Sequence, residues 1–171
     1  MTVMPRQPAP ALDLPLAGGG RLDLATTTPG RFKLLMFYRG HFCQRCRGNL
    51  RELDAKIDRL DALGVDVFAV SMDPKDKAEW TRKEWELKHV GVAYGLTIEG
   101  ARDWDLFIST GMRADEAPLF SEPAVFLVRP DGTVQFAVIN SMQRMRPYPE
   151  DIIEAIARFI ETGELGRGEV A

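Results

Sequence analysis

The sequence predicts an α/β fold in which a central mixed sheet is flanked by helices. Two short apolar runs, at 32–38 and 65–72, indicate buried parallel strands. Residues 47–64 lie between them and repeat leucine or isoleucine at helical spacing, which completes a strand–helix–strand unit. Two further apolar runs, at about 124–129 and 133–139, flank a Pro-Asp-Gly turn and predict an antiparallel hairpin.

The remaining elements follow from start and stop signals. Alternating apolar residues around three glycines, within 9–25, predict a small N-terminal hairpin extension. Gly64 ends the first helix. Asp73 and Pro74 suit the N-cap and the first helical position, so a helix is predicted from about 74 to 89.

The segment after this helix is irregular because glycines interrupt it. It suggests a short strand near 93–97 and a helix through Trp104 to Ile108. The last helix is predicted to start at Pro149 and to end at Gly163, with an apolar face of isoleucines and phenylalanine. This order of elements is the thioredoxin-like arrangement, and residues 1–171 are expected to form one domain.

Composition and charge exclude several classes of partner. The chain is 45% hydrophobic and has 22 basic against 25 acidic residues, for a net charge of −3. Neither sign forms the long block that nucleic acid or a membrane surface would require, so neither partner is expected. Because no stretch resembles a signal peptide or a membrane span, a cytoplasmic location is expected.

The two cysteines of the chain, Cys43 and Cys46, stand close together in the stretch FYRGHFCQRCRGNLREL. Two cysteines placed at random in this chain would have this spacing roughly once in ninety trials, so chance is a poor explanation. A disulfide across two intervening residues restrains little of the unfolded chain. If the pair forms a disulfide, its purpose is therefore chemical.

The position of the pair at the start of a helix assigns a role to each cysteine. A thiolate at Cys43 would meet the unpaired N–H groups and the positive dipole end of the helix, which lowers a thiol pKa by roughly one unit. Cys43 is therefore the predicted nucleophile and the more acidic and more exposed thiol, and Cys46, one turn further, is the predicted resolving cysteine. The basic residues near the pair in sequence are Arg39, His41, Arg45 and Arg47.

Two other interpretations of the pair stay open. It could be a buried structural thiol pair, although inert buried thiols are rarely surrounded by charge. It could also be part of a zinc site with His41 and His89, but the chain has no second Cys-X-X-Cys. His89 is more simply explained as a histidine at the end of a helix. We expect no cofactor and no metal.

The segment YRGHFCQRC, with the opening APALDLPLAGGGRLDL and the later PAVFLVRPDGTV, resembles the peroxiredoxin-like (AhpC/TSA, redoxin) branch of the thioredoxin superfamily. The resemblance extends over most of the chain. It implies a thiol-dependent oxidoreductase that reduces a peroxide or a disulfide. An external thiol of the thioredoxin or glutathione type would regenerate it, and a homodimer is one expected assembly.

The chain departs from that family at three positions. Met36 and Gly40 stand where peroxiredoxins carry a proline and a threonine or serine before the reactive cysteine. Pro123 stands where they carry an active-site arginine. In thioredoxins the matching position is a cis-proline facing the cysteine pair, so the resemblance predicts a cis bond between Glu122 and Pro123.

With that arginine absent, a cation would have to come from Arg39, Arg45 or Arg47. The candidate catalytic residues are Cys43, Cys46, Arg39 and Pro123. Two alternatives to the peroxiredoxin-like function are a dedicated protein disulfide reductase without peroxidase activity, and a non-catalytic zinc-binding or partner-binding module.

Overall fold

A computed structural model describes residues 3–26, 30–142 and 144–170. Its strands and helices, in chain order, are β1 (Asp13–Pro15), β2 (Arg21–Asp23), β3 (Phe32–Phe37), α1 (Gln44–Ala55), α2 (Ile57–Ala62), β4 (Val65–Val70), α3 (Lys75–Glu84), β5 (Gly91–Ala93), α4 (Ile98–Asp103), β6 (Ile108–Thr110), β7 (Leu119–Ser121), β8 (Ala124–Val128), β9 (Val134–Ile139) and α5 (Pro149–Thr162).

The predicted central mixed sheet is confirmed. It has five strands in the order β5-β4-β3-β8-β9, of which β3, β4 and β5 run parallel and β8 and β9 pair antiparallel. The apolar runs occupy its middle, because only strands covered on both faces can be apolar at almost every position. The N-terminal hairpin β1–β2 is also confirmed, whereas a second small hairpin, β6–β7, was not predicted.

Alternate residues of the central strands build two separate apolar layers. In β3, Leu34 and Met36 face the layer that contains the buried side chains of α1, α2, α3 and α5. Leu35 and Phe37 face the opposite layer, which contains α4 and the N-terminal hairpin. This alternation follows from the two-residue period of a strand.

Two helices are shorter than predicted. The first is interrupted at Lys56, whose N–H bonds to the Leu53 carbonyl in a tighter turn, so that α1 and α2 are separate. The helix predicted to reach residue 89 ends at Glu84, and Glu86 then takes a positive φ of 56°. The interpretation of His89 as a helix-end residue is therefore wrong.

A buried carboxylate explains where the chain goes after α3. Asp54 of α1 accepts backbone hydrogen bonds from Lys88 (3.2 Å), His89 (2.8 Å) and Val90 (2.8 Å). Three consecutive N–H groups bound to one carboxylate hold this loop in a non-helical path that leads into β5.

The irregular segment after residue 90 also differs from its prediction. The strand lies at Gly91–Ala93 instead of 93–97, because pairing with Phe68–Val70 of β4 fixes its position. The helix lies at Ile98–Asp103 instead of Trp104–Ile108, because the Thr97 side chain accepts a hydrogen bond from Gly100 and caps an earlier start. Within the described residues, no helix is both long and apolar enough to cross a membrane.

Replacing Asp54 by alanine should lower the free energy of unfolding by about 3 kcal/mol, because three buried N–H groups would lose a charged acceptor. Urea denaturation of the wild type and the variant measures this change. Asp58→Ala removes an exposed carboxylate of α2 and should change stability by less than about 0.5 kcal/mol. Equal effects of the two substitutions would contradict the assigned role of Asp54.

Candidate active site

The cysteine pair lies where β3 passes into α1. Cys43 is the N-cap of α1, and its Sγ accepts a hydrogen bond from the Cys46 N–H at 3.3 Å. The Cys43 N–H in turn bonds to the Gly40 carbonyl at 3.0 Å, which closes the turn before the helix. A disulfide joins the two cysteines, whose Cα atoms are 5.2 Å apart.

The two sulfur atoms have different surroundings. Cys43 lines an open pocket of about 340 Å³, whereas Cys46 does not. Both residues are nevertheless buried, with 3% of Cys43 and 1% of Cys46 exposed. That Cys43 is the more exposed and the more acidic thiol in the reduced form stays a prediction.

Arg39 is a buried side chain whose charge is balanced by two carboxylates. Its guanidinium lies 3.0 Å from Glu116 and 3.3 Å from Glu122, and only 8% of the side chain is exposed. The same group stacks over the Phe120 ring at 4.5 Å. Arg39 therefore ties the end of β3 to the β6–β7 hairpin, while one side of it lines the Cys43 pocket.

The hairpin that supplies this carboxylate pair was missed by sequence reasoning. Glu116 lies in its turn and also accepts a hydrogen bond from the Met112 N–H, which together with Arg113 and Arg39 lowers the pKa of the Glu116 carboxyl. Glu122 follows β7 and accepts a second hydrogen bond from Ser109 Oγ at 2.8 Å. Strands of three residues have too few positions to show a periodic pattern.

One cation that contacts the pair is Arg146, which sequence reasoning also missed. Its Nη1 donates to Cys46 Sγ at 3.3 Å, from the loop between β9 and α5. Burial, with repulsion from Arg45 and Arg39, lowers the pKa of Arg146 to about 10, so the group remains charged at neutral pH. Arg146 is 100 residues from Cys46 in the chain, and nothing in its local sequence indicates the contact.

The missing hydroxyl at Gly40 has a structural cause. Gly40 has φ = 136°, and a Cβ at this position would lie 2.9 Å from Asp73 Oδ1 and 3.0 Å from the Phe42 ring. A threonine or serine cannot enter without displacing the Asp73 carboxylate. The turn before Cys43 is therefore built around an acid instead of a hydroxyl.

Asp73 is not the helix cap that its position predicted. The cap of α3 is Pro74, which has no side-chain cap bond, and Asp73 turns inward with 4% of its surface exposed. Its Oδ2 accepts the His41 N–H at 2.7 Å, and its Oδ1 lies 3.3 Å from His41 Nδ1. Burial raises the pKa of the Asp73 carboxyl, and the hydrogen bonds and charge of His41 oppose that rise.

The predicted cis bond before Pro123 is wrong, because the Glu122–Pro123 bond is trans. The chain passes directly from β7 into β8, and the Glu122 N–H bonds to the Phe107 carbonyl at 2.7 Å. The backbone therefore does not need to change direction at Pro123. Pro123 is buried and precedes Ala124, which pairs with Phe37 at the end of β3. It therefore lies at the sheet edge from which the cysteine turn starts.

The remaining predicted site residues are distributed as follows. Arg45 is exposed at the Cys43 pocket, and Arg47 is partly buried in α1, outside the residues that line that pocket. His89 lines a different surface pocket, with Arg51 and Glu86. In the described parts of the chain, no three His, Cys, Asp or Glu side chains are placed to hold a metal ion. The zinc interpretation therefore has no ligand set there.

A mixed sheet whose central strand leads into a helix capped by a Cys-X-X-Cys disulfide defines a redox protein of the thioredoxin fold class. The sequence narrows this class, since residues 5–137 match the AhpC/TSA family, and the chain belongs to that family.

Curated relatives and solved structures agree with this assignment. Alkyl hydroperoxide reductase C from Staphylococcus aureus is 29% identical over 113 residues, which cover 66% of this chain and 57% of that protein. The same protein from Staphylococcus haemolyticus matches equally well. The chain thus spans less than two thirds of the length of these curated relatives.

The structural neighbours are peroxiredoxins and establish the fold. A reduced 2-Cys peroxiredoxin from Plasmodium vivax superposes with a TM-score of 0.73 at 19% identity, covering 92% of this chain and 96% of that one. A mutant of peroxiredoxin 6 from Arenicola marina gives a TM-score of 0.77 at 15% identity, covering 95% of this chain and 76% of that one.

Gly40→Ala should lower the free energy of unfolding by about 2 to 3 kcal/mol, because the methyl group meets Asp73 as well as requiring a strained positive φ. Gly132→Ala is the matched control, since Gly132 also has a positive φ of 81° but no atom within 4 Å of a Cβ. It should cost about 1 kcal/mol. Chemical denaturation of both variants compares the two costs, and equal losses would show that Asp73 does not exclude a side chain.

The raised pKa of Asp73 predicts a pH-dependent stability of defined sign. The folded state favours its neutral form, so its contribution is fully present below the ordinary carboxyl pKa of about 3.9 and is lost as pH rises through the raised pKa. Asp73→Asn should therefore gain stability relative to the wild type as pH increases from about 4 to about 6. This interval lies below the pH range in which histidine side chains usually titrate. Denaturation midpoints across this range measure the trend.

Asp131→Asn provides a control of opposite sign. Hydrogen bonds from Thr133 lower the pKa of the Asp131 carboxyl, so the wild-type contribution is present above the ordinary carboxyl pKa and is lost as pH falls through the lowered pKa. This variant should lose stability relative to the wild type as pH rises through the acidic range. Parallel trends in the two variants would refute the assigned direction for Asp73.

Proposed function

We propose that this chain is a peroxiredoxin-like thiol oxidoreductase that uses Cys43 and Cys46 to reduce peroxides or disulfides. The observation that carries the proposal is the disulfide at the start of α1, in which the predicted nucleophile lines a pocket and the predicted resolving cysteine does not. Family membership and the thioredoxin fold support the same chemistry.

In the first step the Cys43 thiolate attacks the substrate. With a hydroperoxide, Sγ takes one oxygen, the O–O bond breaks, and the alcohol or water leaves after protonation, which gives a sulfenic acid. With a disulfide, Sγ displaces one sulfur as a thiolate and forms a mixed disulfide with the other. The Cys46 N–H already points at Cys43 Sγ, so the helix start is arranged to stabilise the thiolate.

In the second step Cys46 resolves the intermediate. Its thiolate attacks Cys43 Sγ and expels hydroxide, as water, or the bound thiolate, and both routes end in the observed disulfide. The Arg146 guanidinium beside Cys46 Sγ favours the thiolate form of this otherwise buried sulfur. Arg146 thereby supplies a cation to the pair from the loop between β9 and α5. The family arginine would instead stand at the position of Pro123, before β8.

A dedicated protein disulfide reductase is the second candidate, favoured by the turn at Gly40. Peroxiredoxins place a hydroxyl there, whereas this chain places the Asp73 carboxylate against the glycine. Without that hydroxyl the peroxide loses one hydrogen-bonding partner near Cys43. We therefore expect disulfide substrates to react more readily than peroxides.

The proposal also includes an external partner. An oxidised Cys43–Cys46 pair must be reduced before it can react again, so a thiol of the thioredoxin or glutathione type completes the cycle. The homodimer suggested by the family resemblance stays a prediction.

Cys46→Ser should trap the intermediate on Cys43, because serine keeps the size of the side chain but cannot form the disulfide. The reduced variant is exposed separately to hydrogen peroxide, to an organic hydroperoxide and to a protein disulfide. Mass spectrometry should find a sulfenic acid after peroxide and a covalent adduct after the disulfide, with the adduct forming faster.

Cys43→Ser is the matched control and should form neither product and abolish turnover. If this variant retained activity while Cys46→Ser was inactive, the two roles would be reversed. Full activity in both variants would exclude a thiol mechanism. Rapid sulfenic acid formation without any disulfide adduct would instead select the peroxidase over the disulfide reductase.

A further inference from the structure

The pocket over Cys43 is strongly cationic. The charged side chains among its lining residues are four arginines and one aspartate: Arg39, Arg45, Arg113, Arg144 and Asp115. Its volume of about 340 Å³ lies at the small end of the range typical of small-molecule sites. A concave, cation-rich surface around a reactive sulfur selects for a small anion that carries the other reacting group.

Only part of this positive charge is balanced within the protein. Arg39 is held by Glu116 and Glu122, and Arg113 lies 3.4 Å from Asp115 and 3.3 Å from Glu116.

Arg45 and Arg144 differ from these two arginines. Both are exposed, and neither forms an ion pair with a carboxylate of residues 3–26, 30–142 or 144–170. The pocket therefore offers two guanidinium groups, on two different elements, that a ligand can engage. Guanidinium groups bind carboxylates through paired hydrogen bonds, so two of them suit a ligand with two carboxylates.

The oxidation state of Cys43 and Cys46 determines which kind of reactant can react at this pocket. The cysteines are joined in a disulfide, and in this state only a reductant can react with them. Of the two cysteines, only Cys43 is among the residues that line this pocket. A thiol held by the arginines would approach the Cys43 sulfur.

We propose that the pocket formed by Cys43, Arg45 and Arg144 binds a small thiol that carries carboxylates, of the glutathione class, and that this thiol reduces the disulfide. The inference rests on the proposed function and narrows it, since it selects a small anionic thiol over a thioredoxin-type protein as the reductant.

The chemistry of the reduction balances with two thiols. The first thiolate attacks Cys43 Sγ, forms a mixed disulfide and expels Cys46 as a thiolate, which the Arg146 guanidinium stabilises at 3.3 Å. A second thiolate attacks the sulfur of the bound thiol, releases the symmetrical small-molecule disulfide and leaves Cys43 as a thiolate. Arg146 thus assists the departure of Cys46, while Arg45 and Arg144 bind the incoming anion.

The test compares reductants that share one sulfur group and differ in charge. Disulfide-form protein is mixed with glutathione, with glutathione diethyl ester or with dithiothreitol, and the reduction rate is followed by acid quench, alkylation and mass spectrometry. Glutathione should react about tenfold faster than its ester, and added salt should reduce this ratio because exposed charges are screened.

The variants locate the effect. In the double variant Arg45→Gln with Arg144→Gln, the ratio of the glutathione rate to the dithiothreitol rate should fall about tenfold, as the loss of two exposed ion pairs predicts. Arg158→Gln removes one exposed arginine of α5 that does not line the pocket, and should leave the ratio unchanged.

Each result is decisive. Equal rates with glutathione and its ester, or a ratio that the double variant does not change, would overturn the inference and leave the proposed function intact. Faster reduction by a thioredoxin-type protein, at a rate insensitive to the double variant, would overturn it as well. If dithiothreitol cannot reduce the pair at all, the proposed function fails and the inference fails with it.

Discussion

The Asp73 carboxylate is the constraint on which the arrangement around the cysteines depends. Asp73 follows β4 in the chain and is buried. Its carboxylate accepts a hydrogen bond from the His41 N–H and fills the space beside Gly40, so the turn before Cys43 can take only one path. That path places Cys43 at the cap of α1 with its sulfur facing the Cys46 N–H. A carboxylate held in so little water is costly unless it is hydrogen-bonded, and His41 supplies the required donor.

Around this turn the arginines divide into structural and available groups. Arg39 is buried and compensated by two glutamates, so it joins β3 to the β6–β7 hairpin more than it attracts a ligand. Arg146 contacts Cys46 Sγ from the far end of the chain. Arg45 and Arg144 remain exposed at the pocket. The neighbours of each arginine thus determine its role. Arg39 has a structural role, Arg146 stabilises a thiolate, and Arg45 and Arg144 are the proposed ligand contacts.

The central sheet and the position of the cysteine pair could be predicted because their signals are local. Continuous apolar runs identified β3, β4, β8 and β9, and helical periodicity with Pro149 and Gly163 identified α5 within a residue or two. Several of the errors share one physical cause, which is dependence on a residue far away in the chain. The end of α3 depends on Asp54, thirty residues earlier in the chain, and the inward turn of Asp73 depends on His41. The contact of Arg146 with Cys46 Sγ could not be predicted for the same reason.

The packing of Trp80 gives this molecule an intrinsic optical reporter. Trp80 is 45% exposed, and its ring lies edge-on to that of His41 with 6.0 Å between the ring centroids. His41 stands two residues before Cys43, one of the two cysteines of the disulfide. Trp85 and Trp104 are fully buried and supply a constant background. An indole in contact with both solvent and an imidazole is sensitive to each, so Trp80 is placed to report changes at the turn before Cys43 through its own fluorescence.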